Sequence, residues 1–86
     1  MFSEKASGGT KMSTLNVMIP SAAGADDFVK KASGLPFDIN LSAGSRVVDA
    51  KSILGILYLG VGKILQLTAA SEELPYMKNT FSDYLV

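Results

Sequence analysis

The chain has 86 residues, of which 48% are hydrophobic and 19% are charged, a composition typical of one small globular domain rather than of a disordered chain. Its eight basic and eight acidic residues give a formal net charge of zero and form no basic cluster, so we expect no nucleic-acid partner. Because cysteine and histidine are absent, the sequence offers no disulfide, no thiolate or imidazole metal ligand, no Ser-His-Asp triad and no cysteine nucleophile, and we expect neither a metal nor a cofactor.

The N-terminal residues predict a tail followed by a single domain. Residues 1–11 contain Ser-Gly-Gly and isolated charges without hydrophobic periodicity, which predicts a flexible tail before a domain at 12–86. They include no apolar signal segment, so we expect a cytoplasmic protein. The longest apolar run, 53–62, is too short for a membrane span, which takes about 20 residues.

The first two predicted elements are a strand and a helix. Apolar and polar residues alternate over 15–19, which is the period of a strand with one covered face. A helical spacing of apolar residues follows over 22–33, with Ser21 before it. Gly34 is expected to close this helix in the left-handed conformation, and Pro36 prevents its continuation.

A hairpin and a short helix are predicted next. Alternation over 37–41, turn residues over 42–45 and a second apolar stretch over 46–50 predict two neighbouring antiparallel strands. Ser52 can cap a short helix over 53–57.

The last two predicted elements are a strand over 64–69 and a helix that opens at Ser71 with Pro75 in its first turn. The expected buried residues of that helix are Leu74, Met77, Phe81, Tyr84 and Leu85. The order β-α-β-β-α-β-α predicts an α+β fold, one antiparallel sheet with its apolar face covered by helices. Outside the hairpin, periodicity leaves the strand pairing open.

Two groups of residues are assigned backbone or solvent roles only. Gly55, Gly60 and Gly62 are expected to serve backbone turns, since no glycine-rich phosphate loop is present. Asp26 and Asp27 are expected to be solvated in the first turn of the first helix, where the helix dipole favours acids.

The stretch from 28 to 61 reads FVKKASGLPFDINLSAGSRVVDAKSILGILYLGV and resembles the HPr family, the small phosphocarriers of the bacterial sugar phosphotransferase system. The segment Asp-Ala-Lys-Ser-Ile-Leu-Gly-Ile-Leu is similar to the family's Lys-Ser-Ile-Met-Gly signature, and the Asp-Ile-Asn-Leu strand matches as well. The resemblance implies an HPr-like open-faced β-sandwich, with a four-stranded antiparallel sheet and three helices on one face.

The same resemblance places Ser21 where the family carries phosphate on a histidine. Ala23 stands at the position of the family's arginine, and Gly24 at that of its proline. A serine ester lacks the transfer potential of a phosphorylated imidazole, and alanine cannot clamp a phosphate as arginine does. We therefore expect no phosphocarrier activity and no catalytic residue, with Ser21 serving as a helix N-cap.

Ser52 occupies the second position that the resemblance marks. In Gram-positive HPr proteins, and in a histidine-less regulatory relative, the serine of Lys-Ser-Ile is phosphorylated by HPr kinase/phosphorylase to signal catabolite repression. Phosphate here would add about −1.5 to −2 charges beside the free N–H groups of a helix N-terminus, which favours anions. The resemblance implies regulatory phosphorylation at Ser52, and the alternative is that this serine is an N-cap only.

The apolar helix after Ser52 predicts a protein-binding surface. A helix this short cannot bury all its large side chains. In the HPr family this surface docks partners, so the resemblance implies that Ile53, Leu54 and Leu57 are candidate partner-binding residues; the alternative is that they pack into the core. The partner would be HPr kinase/phosphorylase, a transcriptional regulator, or a second copy in a homodimer. Two functions stay open: a regulatory module controlled through Ser52, and a constitutive structural or oligomeric module without phosphate signalling.

Overall fold

The computed structural model describes residues 11–86, so the predicted tail lies, apart from Lys11, outside the described residues. Its four strands are β1 (Met12–Met18), β2 (Asn40–Ala43), β3 (Arg46–Asp49) and β4 (Ile64–Ala70). Its helices are α1 (Ala22–Ser33), α2 (Ile53–Leu59) and α3 (Leu74–Thr80), and a 3₁₀ turn (Ser71–Glu73) leads into α3. The predicted α+β class and the order of its elements are confirmed. Within this described part, no helix has the length and apolarity needed to cross a membrane.

The four strands form one antiparallel sheet in the order β1-β4-β2-β3. The register aligns Leu15, Leu67, Leu41 and Val48 in a row across all four strands. Side chains of successive residues alternate between the two faces of a strand. The row therefore lies on the covered face, where Leu41 and Leu67 are buried.

The aromatic part of the core joins α1 to the C-terminal segment. Helix α1 buries Ala25, Phe28 and Ala32, which share one helix face. The Phe28 ring stacks on Phe81 with centroids 4.5 Å apart, and Tyr84 meets it edge-on at 5.1 Å. These three rings connect residues more than 50 positions apart in the chain.

The predicted strand at 37–41 has the wrong bounds. Strand β2 begins at Asn40, continues to Ala43, and turns through two residues at Gly44, whose φ is +62°. The carbonyl of Ile39 accepts a hydrogen bond from the Ala50 N–H at 2.9 Å, which closes the hairpin at its base. The alternation at Phe37 and Ile39 thus reflects a loop packed against the core rather than sheet pairing.

The predicted final helix is too long. Helix α3 ends at Thr80, and the chain then turns back along the outer edge of β1. Leu85 pairs with Val17 in an isolated bridge, and the Met18 N–H donates to the Tyr84 carbonyl at 2.9 Å. This segment covers part of an edge strand that would otherwise present unpaired N–H and C=O groups.

The glycines differ from expectation at two places. Gly34 ends α1 with a φ of −77°, in the right-handed region rather than the left-handed one. Gly55 lies inside α2, where an added Cβ would stand 2.9 Å from the Val48 Cβ. Its role is close packing of α2 on β3, not a turn. Gly60 and Gly62 have positive φ, as a turn role requires.

Candidate functional site

Ser21 is the N-cap of α1. Its backbone is extended, and its Oγ accepts a hydrogen bond from the Gly24 N–H at 3.3 Å. The side chain is exposed, and only Ile19 and Pro20 separate it from β1. The predicted capping role is confirmed.

The first turn of α1 contains no ionisable side chain, since Ala22, Ala23 and Gly24 follow the cap. A Cβ at Gly24 would stand 3.3 Å from the Pro20 Cδ, so the chain packs closely where it enters the helix. This arrangement holds one hydroxyl at a helix N-terminus without a base on the adjacent residues to activate it.

Asp26 and Asp27 lie in the second turn of α1, not in the first. Each forms an i,i+4 ion pair, Asp26 with Lys30 at 3.1 Å and Asp27 with Lys31 at 3.3 Å. The Tyr84 hydroxyl donates to Asp27 Oδ2 at 2.5 Å and lies 3.3 Å from the Gly24 carbonyl. Asp27 is exposed, as expected for a solvated carboxylate, but it also contacts Tyr84 and Lys31.

This contact shifts the pKa of both partners. The hydrogen bond from Tyr84, followed by the one from Lys31, lowers the pKa of Asp27 below 3.8. Burial, followed by the hydrogen bond to Asp27, raises the pKa of Tyr84 from 10.0 to about 12. The neutral phenol and the charged carboxylate are the forms that the fold favours.

We expect the Tyr84→Phe variant to lose a pH-dependent part of the stability. The folded-state pKa of Tyr84 is raised, so its contribution is complete below pH 10 and disappears as the pH rises towards 12. The contribution of Asp27 is present above its unfolded pKa of 3.8 and is lost as the pH falls through the lower folded value. Urea denaturation of the wild type and the variant should show a difference at pH 8 that shrinks by pH 12. A difference that stays constant over this range would contradict the assignment.

Ser52 is the N-cap of α2. Its Oγ accepts a hydrogen bond from the Gly55 N–H at 3.1 Å, and its carbonyl accepts one from the Ile56 N–H at 3.0 Å. Its own N–H donates to the Asp49 carbonyl at 3.0 Å, and the side chain is half-buried. Ser52 therefore caps α2 in the unmodified chain, as predicted, and phosphorylation of its hydroxyl stays a prediction.

The two charged side chains of the Asp49–Ser52 turn, Asp49 and Lys51, each form a hydrogen bond to the backbone. The Lys51 N–H donates to Asp49 Oδ1 at 2.9 Å, which closes the turn. The Lys51 ammonium donates to the Leu35 carbonyl at 2.8 Å. The link to Leu35 was not found by sequence reasoning, because no local pattern predicts a lysine bond to a backbone carbonyl sixteen positions away.

Helix α2 is apolar on all sides but buries only part of its surface. Ile56 and Leu59 are buried, and Ile53 is half-buried against the core. Of the three candidate binding residues, Ile53 is therefore partly used in packing.

Leu54, Leu57 and Tyr58 are the exposed side chains of α2, and we call them the α2 patch. Their exposed fractions are 77%, 44% and 64%. The Arg46 guanidinium lies 5.3 Å from the centre of the Tyr58 ring, a cation–π contact at the border of the patch. The patch begins two residues after Ser52. Helix α2 also contacts α1, whose N-cap is Ser21. Over the described residues, no three acidic side chains are grouped so that they could hold a metal ion.

An antiparallel sheet in the order β1-β4-β2-β3, with three helices on its covered face, defines an open-faced α+β sandwich. The family model described as "PTS HPr component phosphorylation site" matches residues 21–73, which is more than half of the chain. This protein belongs to the HPr family, whose typical members are phosphocarriers rather than enzymes. The match begins at Ser21 and includes Ser52.

Two solved structures are similar to this chain over most of its length. The phosphocarrier protein HPr from Bacillus anthracis str. Ames has a TM-score of 0.71 at 25% identity, with 85% of this chain and 96% of that chain covered. HPr-C-His from Thermoanaerobacter tengcongensis has a TM-score of 0.66 at 30% identity, with coverage of 85% and 88%. No curated protein matches the sequence significantly.

Proposed function

We propose that this protein is a regulatory, protein-binding module related to the bacterial sugar phosphotransferase system, switched by phosphorylation of Ser52. It acts in the cytoplasm, in the control of carbohydrate use by catabolite repression. It is neither an enzyme nor a histidine phosphocarrier. The observation that carries the proposal is the position of the Ser52 hydroxyl, at the beginning of the helix whose outer face is the α2 patch.

Ser21 cannot supply the nucleophile that a phosphocarrier needs. A phosphocarrier needs a nucleophile whose phosphoryl adduct keeps a high transfer potential, and a serine ester does not. The Ser21 Oγ accepts from the Gly24 N–H, and Ala23 offers no cation for a bound phosphate. These features support the proposal that this chain has the fold of the family but does not relay phosphate.

A phosphate on Ser52 would change the charge of the Asp49–Ser52 turn. It would bring about −1.5 to −2 charges to a turn that now contains one carboxylate, Asp49, and one ammonium, Lys51. A phosphate would offer the Lys51 ammonium an anionic acceptor, which attracts it more strongly than the neutral Leu35 carbonyl that it now contacts. The modified turn would thus have a different charge and a different lysine position.

The α2 patch is the surface that a partner would contact. It offers apolar contact area that begins two residues after Ser52, and Arg46 borders it. A protein that reads the phosphate and this patch together would distinguish the two states of Ser52. HPr kinase/phosphorylase and a transcriptional regulator are the partners we propose for this surface.

Intact-mass measurement after incubation with ATP and HPr kinase/phosphorylase tests the proposal. We expect the wild type to gain one phosphate, about 80 Da, and Ser52→Ala to gain none. Ser21→Ala is the matched control, because it removes the other capping hydroxyl and should still be phosphorylated. An unmodified wild type, under conditions in which the kinase modifies the Bacillus anthracis HPr, would contradict the proposal.

The alternative function, a constitutive structural or oligomeric module, is favoured by one observation. Leu54 is 77% exposed on a chain whose formal charge is zero, so neither burial nor charge repulsion opposes self-association there. This alternative requires a phosphate-independent homodimer. Sedimentation of the wild type against Leu54→Glu distinguishes it, since only a dimer formed through the patch would dissociate.

A further inference from the structure

A groove lies between the loop after α1 and the beginning of α3, and we call it the α3 groove. Its lining residues are Leu35, Pro36, Phe37, Glu73 and Tyr76. Its volume of about 320 Å³ falls within the range of small-ligand sites, roughly 300–1,000 Å³. None of these residues belongs to the α2 patch, so the groove is a separate surface.

One wall of the groove is held in place by hydrogen bonds and by proline. The Leu35 N–H donates to the Ala32 carbonyl at 3.0 Å, and the Leu35 carbonyl accepts from the Lys51 ammonium at 2.8 Å. Pro36 restricts the backbone at the next position. A fixed wall reduces the ordering cost of binding.

The opposite wall combines a carboxylate with an aromatic ring. Glu73 is half-buried, and among the described residues it forms no ion pair. Tyr76 is 61% exposed and presents its ring at the same groove. Lys51, whose ammonium donates to the Leu35 carbonyl, is not within ion-pair distance of Glu73.

A carboxylate and an aromatic ring beside apolar side chains are complementary to a cation on an apolar stem. A neutral apolar occupant would cover Glu73 without giving it a partner, which is costly. An acidic occupant would meet like charge at Glu73. The groove therefore favours an arginine or lysine side chain.

We propose that the α3 groove binds a basic side chain of a partner peptide. The stem of that side chain packs against Leu35 and Phe37, and its charged end lies between Glu73 and the Tyr76 ring. This interaction does not depend on Ser52, so the groove provides a second contact for a partner, additional to the α2 patch.

The test is an NMR titration of the full-length, unphosphorylated protein with two peptides. The probes are acetyl-Leu-Arg-Leu-amide and the same peptide with citrulline, which has the shape of arginine without its charge. We expect shifts of the Leu35, Phe37, Glu73 and Tyr76 amides, and about fivefold tighter binding of the arginine peptide.

The variants separate charge from shape. Glu73→Gln should remove the preference for arginine, whereas Glu72→Gln, a neighbouring change of the same kind, should leave it intact. Tyr76→Phe retains the ring and should retain binding, and Tyr76→Ala should weaken it. The amide spectrum of each variant shows whether it is folded.

Three results would overturn the proposal. Equal affinity for the two peptides would show that charge plays no part, and peptide-induced shifts confined to the α2 patch would place binding elsewhere. Contacts of residues 1–10 with the Tyr76 ring in the free protein would show that this chain itself occupies the groove. Because no kinase is used, failure of this test is independent of the proposal for Ser52.

Discussion

Incubation of the wild type with phosphoenolpyruvate and Enzyme I is expected to leave its mass unchanged. The position that carries phosphate in the family is Ser21, a capping hydroxyl followed by Ala22, Ala23 and Gly24. Without an imidazole the adduct would be a serine ester, and without an arginine the phosphate would lack a bidentate cation. The expected effect is complete loss of relay rather than a reduced rate.

The measurement is intact mass under conditions that preserve acid-labile phosphate. The phosphocarrier HPr from Bacillus anthracis str. Ames, similar in fold at a TM-score of 0.71, serves as the positive control. Any phosphate adduct on the wild type would contradict this expectation, and one that survives acid and disappears in Ser21→Ala would show that this hydroxyl accepts phosphate as a serine ester.

The largest expected loss of stability follows from Phe28→Ala. Phe28 is fully buried, stacks on Phe81 and meets Tyr84 edge-on, so its removal leaves a cavity where α1 packs against the C-terminal segment. Truncation of a buried phenylalanine lowers the free energy of unfolding by about 3–5 kcal/mol. Small domains have only about 5–15 kcal/mol in total.

Urea denaturation measures this loss, and Tyr58→Ala is the matched control. Tyr58 is also aromatic, but 64% of it is exposed, and its cation–π contact with Arg46 is worth only about 0.5–1 kcal/mol at such a site. A loss below about 1 kcal/mol for Phe28→Ala would mean that the three rings do not form the centre of the core.

Ser21 and Phe28 determine different properties of α1, the chemistry of its N-terminus and the strength of its packing. Ser21 begins α1 and determines what chemistry its N-terminus can perform, whereas Phe28, two turns later, determines how firmly the helix is held. Loss of stability in Phe28→Ala would also weaken binding at the α2 patch, since α1 and α2 pack together. Binding comparisons should therefore use surface variants such as Leu54→Glu.

Features that depend on a few neighbouring residues could be predicted from the sequence. The predicted helix over 22–33 has the bounds of α1, and both capping serines, Ser21 and Ser52, accept the expected bonds from residues three positions later. Apolar spacing and capping act within about one helical turn, so the local sequence contains all the information they need. Periodicity predicted the α+β class and left the strand pairing open, and the family resemblance over 28–61 added the HPr-like sandwich.

The end of the last helix required the tertiary structure. Residues up to Leu85 have helical spacing, but α3 ends at Thr80 because the final residues bond to the free edge of β1. The bounds of β2 have a similar cause, since the base of the hairpin is closed by the bond between Ala50 and Ile39. In both cases a partner distant in the chain overrides the local pattern.

The contacts that distinguish the candidate sites also join residues far apart in sequence. Tyr84 reaches Asp27 across 57 positions, Lys51 reaches Leu35 across 16, and the α3 groove brings Phe37 to Tyr76. No spacing rule predicts such pairs, because each depends on how the elements pack. The sequence by itself therefore determined which helices and strands form and which serines cap them. Only the tertiary structure decided the strand order and which charged and aromatic side chains meet, because those contacts exist only after the chain has folded.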